Sequence, residues 1–84
     1  METQYATLQT VFDLVKEEVS PTQYPCALNQ VLVRQNQPWD VLLSHLQLLA
    51  AEELVQLRLV GTLLISITDK GIQVAEQMFL KKAS

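Results

Sequence analysis

The feature that most constrains this chain is a change of period near Leu54. From Pro38 to Ala51 the apolar residues recur at helical spacing. From Leu54 to Thr68 they recur at every second residue. A 3.6-residue repeat specifies a helix with one buried face, and a two-residue repeat specifies strands with one buried side. On a helical wheel Leu42, Leu46 and Leu49 lie together, flanked by Trp39, Val41, Leu43, Leu48 and Ala50. Only Asp40, Ser44 and Gln47, with Ala51 in line, form a polar wedge. A helix so broadly apolar is pinned between neighbours and shows the outside one strip. Trp39 is expected to fill a gap between helices.

The alternating stretch makes a hairpin. A two-residue turn at Gly61-Thr62 would set its two apolar rows on opposite faces. Pairing Leu59 with Leu63 around a three-residue loop, Val60-Gly61-Thr62, instead puts Val55, Leu57, Leu59, Leu63, Ile65 and Ile67 on one face. The buried face sets register, so the second pairing is expected. Leu64 is expected to be exposed.

The flanking segments are divided by Pro21, Pro25 and Pro38. Leu8, Val11, Phe12, Val15 and Val19 give residues 3–19 one apolar stripe, and Ser20-Pro21 ends that helix. Pro25 is expected in the first turn of a second helix, 25–35, that buries Ala27, Leu28, Val31 and Leu32. Asn36-Gln37-Pro38 is a turn signal, with Asn36 or Gln37 next to the cap of the third helix, 38–51. Two helices about so tight a turn make a helix-turn-helix. The strands are expected over 54–60 and 63–68, and Thr68 caps a last helix over 69–82. The broad apolar side of that helix, at Val74, Met78 and Phe79, is expected to meet a second copy. Gly71 in its first turn is expected to permit close packing on the hairpin.

The 84 residues make one domain, and a chain this short buries only about 60% of its unfolded surface. With 49% hydrophobic residues, a homodimer is the expected state. The net charge is -3, which repels phosphate backbones unless the six Lys and Arg cluster. The single cysteine, Cys26, allows no internal disulfide and is expected to be a buried small hydrophobe. The first residues do not resemble a signal peptide, no apolar run reaches membrane-spanning length, and the cytoplasm is expected. No spacing of ligands around His45 suggests a metal. Ser44 and His45 diverge on a helix, and the two glycines form no phosphate loop, so neither catalysis nor a cofactor is expected.

The order of elements resembles a winged helix-turn-helix, mainly α with a small β-hairpin. The run Ser44-His45-Leu46-Gln47-Leu48-Leu49-Ala50-Ala51-Glu52-Glu53-Leu54-Val55 resembles the end of a recognition helix passing into a wing. Ile67-Thr68-Asp69-Lys70-Gly71 resembles the start of the last helix in transcriptional regulators of the PadR and MarR kinds. The likeness covers residues 38–78. It implies a small DNA-binding regulator, with Asp40, Ser44 and Gln47 facing bases and Arg34, Arg58 and Thr62 near the backbone. Two departures stand out: Glu53 replaces the usual glycine at the helix exit, and no Lys or Arg lies between Arg34 and Arg58. The alternative is a protein-interaction module of the same fold that binds no DNA.

Overall fold

The computed structural model describes residues 4–35 and 37–83, with side chains as far as Met78. Helix α1 spans Gln4–Val15, followed by a single 3-10 turn at Pro21–Gln23. Strand β1 is Cys26–Ala27, and helices α2 and α3 are Leu28–Gln35 and Trp39–Ala51. The wing strands β2 and β3 are Val55–Val60 and Thr62–Ile67, and α4 is Asp69–Ala83. The three strands form an antiparallel sheet in the order β1-β3-β2. Its inner face and α1, α2, α3 and α4 enclose one core. Among the described residues, no helix is long and apolar enough to cross a membrane.

The stripe of α1 is buried at Leu8, Val11 and Val15, but the helix stops four residues earlier than its spacing suggests. Val19 is fully exposed. Glu17 and Glu18 explain the stop, because carboxylates at a C-terminus oppose the helix dipole.

Pro25 does not open a helix. It leads into β1, where Cys26 and Ala27 pair with Ile65 and Leu64. Tyr24 is extended, as a residue before proline must be, and the free edge of β3 offers hydrogen bonds to an extended chain. Helix α2 therefore begins at Leu28. Gln30 Oε1 accepts the Ala27 N–H at 2.9 Å, satisfying one donor at that helix's start.

In α3, Leu42, Leu46 and Leu49 are completely buried. The helix exit shows how the chain manages without glycine. The Leu54 N–H donates to the Leu49 carbonyl at 2.9 Å and the Glu53 N–H donates to the Ala50 carbonyl at 3.0 Å. This is the bond pair of a Schellman stop, in which one residue must take left-handed backbone. Glu53 takes it, at φ 64°.

The hairpin has the register set by its apolar face, with Val55↔Ile67, Leu57↔Ile65 and Leu59↔Leu63. Burial on that face fades along the wing: Val55, Ile65 and Ile67 are buried, Leu57 and Leu63 half-buried, and Leu59 exposed. Leu64 is half-buried, where the sequence suggested exposure. Its strand lies in the middle of the sheet, between β1 and β2.

Thr68 joins wing to helix. Its hydroxyl donates to the carbonyls of Glu53 at 2.7 Å and Leu54 at 3.0 Å, geometries that one proton can serve only in part. The same oxygen accepts the Gly71 N–H at 2.9 Å, capping α4. Gly71 is buried, and a side chain there would overlap the Leu54 carbonyl oxygen and press on Ile67. Close packing on the wing base is thus what that glycine permits.

Candidate nucleic-acid interface

Asp40, Ser44 and Gln47 are all exposed, and their spacing of four and three residues aligns them along one side of α3. The three buried leucines hold the opposite side rigidly. A straight strip of one carboxylate, one hydroxyl and one amide can accept and donate hydrogen bonds to base edges. It carries no positive charge.

The cations lie elsewhere. Arg34 is exposed in the last turn of α2, where a positive charge suits the helix dipole. Arg58 is exposed on β2 opposite Leu64. It lines a hollow of about 530 Å³ with Gln23, Gln56, Leu64 and Ser66. Neither arginine is in an ion pair among the described residues, whereas Lys16 pairs with Asp13 at 3.5 Å. Thr62 is exposed at the wing turn.

Helix α3 and the wing also carry apolar surface that the helical period did not suggest. Trp39 is 59% exposed and Leu48 49%. Trp39 falls in phase with Leu42 and Leu46, which makes burial the natural expectation. It does not follow because side chains lean toward a helix's N-terminus, so one in the first position overhangs the end of the core. Its place directly after Pro38 was the available signal. On the wing, Leu59 is 79% exposed and Val60 60%.

His45 turns inward from the strip. Its Nδ1 lies 3.0 Å from the Oγ1 of Thr7, which is fully buried on α1. This bond spends the histidine on joining α3 to α1. Among the described residues no group of three or more His, Cys, Asp or Glu is placed to hold a metal. Cys26 is buried, and burial raises its thiol pKa above the ordinary value.

Val74 and Met78 are half-buried. Val74 packs on the chain's own core, and both line a cleft of about 290 Å³ with Tyr5, Glu52, Leu54, Lys70 and Gln77. The side chain of Phe79 lies outside the described residues. At the cleft's edge the Tyr5 hydroxyl donates to Glu52 Oε1 at 2.8 Å. That bond, then burial, then the carboxylate's charge raise the tyrosine pKa.

No family model matches the sequence, and no curated protein does. Solved structures do. A protein of Archaeoglobus fulgidus superposes with a TM-score of 0.73 at 19% identity, over 92% of this chain and 84% of that one. Bordetella bronchiseptica BpsR, whose DNA binding is regulated by 6-hydroxynicotinic acid, superposes at 0.72 with 19% identity. That match covers 93% of this chain but only 52% of BpsR. A putative DNA-binding protein of Ralstonia eutropha superposes at 0.69 with 25% identity, over 88% of this chain and 94% of that one. Element order, sheet register and these likenesses agree that the chain is a winged helix-turn-helix domain, with the fold of DNA-binding regulators.

Proposed function

We propose that this chain is a small DNA-binding transcriptional regulator, acting as a homodimer in the cytoplasm and catalysing no reaction. The observation that carries the reading is the strip on α3. Ser44 and Gln47 stand exposed on a helix held by three fully buried leucines, in a fold shared with DNA-binding proteins. In such a domain the third helix lies in the major groove and its outer side chains meet base edges. Ser44 and Gln47 would read bases, Asp40 would accept from a cytosine amine, and Arg34, Arg58 and Thr62 would touch phosphates. One domain places one helix in one groove, so two copies are needed to span successive grooves.

The test is fluorescence anisotropy with mixed-sequence duplex DNA at low and then physiological salt. Two arginines per subunit give a dimer four phosphate contacts, so the logarithm of affinity should fall against that of salt with a slope of about -3 to -4. Arg58→Ala should flatten the slope by roughly 2 for the dimer. Asp40→Asn should strengthen binding, by removing a charge that faces the groove. No binding at low salt would refute this reading.

A second reading has its own support in Trp39 and Leu48, both exposed on α3, and in Asp40, exposed next to Trp39 in the chain. Apolar and acidic groups together suit a protein partner better than a phosphate backbone. That reading predicts that Trp39→Ala abolishes partner capture while DNA is never bound.

A further inference from the structure

Among the described residues, no strand pairs with the outer edge of the wing. Strand β3 lies between β1 and β2, so β2 is paired on one side only. Its six residues, Val-Gln-Leu-Arg-Leu-Val, contain no proline and one charge. Open edges of this kind are ordinarily protected by prolines, lysines, bulges or covering elements, because their unpaired N–H and C=O groups recruit another strand. Beyond the core the wing also exposes Leu59 and Val60.

We propose that two copies of the chain pair edge to edge through β2, antiparallel about a two-fold axis at Leu57, joining two three-stranded sheets into one. This gives the homodimer of the regulator reading its interface, and it requires no DNA. The symmetry limits the register. Opposed residues in an antiparallel pair point to the same face, so a two-fold axis must set one residue against its own copy. Centring on Arg58 would oppose two guanidinium groups. Centring on Leu57 puts Leu57 against Leu57 and Val55 against Leu59 on the inner face. On the outer face it puts Gln56 against Arg58, a neutral acceptor beside a cation. Five residues, 55–59, are then paired in each strand. The exposed Leu59 gains an apolar neighbour at the wing base of the second copy.

The alternative surface is α4 at Val74 and Met78, and the experiment separates the two. Sedimentation equilibrium of the full chain without DNA should give a species of twice the 9.5 kDa chain. Leu59→Lys, at an exposed position, should weaken that dimer by about tenfold or more while leaving the circular dichroism unchanged. Met78→Lys should leave the dimer intact. Under mild oxidation, Gln56→Cys chains mixed with Arg58→Cys chains should form mixed disulfides that neither variant forms alone, and buried Cys26 should take no part. A monomeric wild type, a dimer lost in M78K but kept in L59K, or disulfides formed by R58C alone would each overturn the proposal. DNA is absent throughout, so DNA binding keeps its own test: a monomeric wild type would also remove the homodimer from the regulator reading, whereas the variant and disulfide outcomes would move only its interface.

Discussion

Replacing Gly71 by alanine sets local helix propensity directly against packing. Gly71 lies in the first turn of α4, where alanine's higher helix propensity would favour folding by about 1 kcal/mol. The surroundings oppose this. A Cβ on residue 71 would overlap the Leu54 carbonyl oxygen and come within 2.9 Å of Ile67 Cγ1. The carbonyl is backbone and cannot rotate away. It already accepts the Thr68 N–H at 3.1 Å and lies 3.0 Å from the Thr68 hydroxyl. Overpacking of a tight site costs about 1–3 kcal/mol, and loosening the bonds at Leu54 adds about 1 kcal/mol. The packing cost therefore outweighs the propensity gain, for a net loss of about 1–3 kcal/mol. In a domain of this size each kcal/mol shifts Tm by about 4–8 °C, so Gly71→Ala should melt roughly 5–20 °C below wild type. The assay is thermal circular dichroism at one matched protein concentration, because any self-association also raises Tm. Gly61→Ala is the control: φ is 72° but nothing lies within 4 Å, so only the left-handed backbone is penalised, by about 1 kcal/mol. A G71A protein as stable as wild type would refute the claim that α4 is seated against the wing base through this glycine.

Two further outcomes follow from the same structure. Glu53→Gly should raise Tm by a few degrees in the same melt. It relieves a left-handed penalty of about 1–2 kcal/mol, offset by about 0.5–1 kcal/mol for the freer unfolded chain, and an unchanged or lower Tm would contradict that assignment. Cys26 should resist a disulfide-exchange reagent in the folded protein and react only as fast as the chain opens. Because burial raises its pKa, the stability from keeping the thiol neutral is present below the unfolded thiol pKa and is lost as pH climbs past it. Labelling of the native protein at the rate of a free thiol would refute the burial.

The amino-acid pattern by itself determined the parts of this fold that rest on local periodicity. The leucines of α3, the hairpin register and the Thr68 cap are each specified by residues within a few positions of one another, where geometry leaves one arrangement that buries the apolar groups. The polar strip of Asp40, Ser44 and Gln47 was legible for the same reason, as what remains once the buried arc is assigned. Tertiary structure decided the rest. Cys26 and Ala27 are extended because β3 has an open edge, a condition set by residues about 40 positions away. Val19 and Trp39 continue apolar stripes but lie where the helix has stopped or at the end of the core. Glu53 holds a left-handed turn because the Schellman bonds of α3 and the Thr68 contact require one there. Periodicity tells a residue which way to face, but only the assembled core determines whether anything is there to meet it.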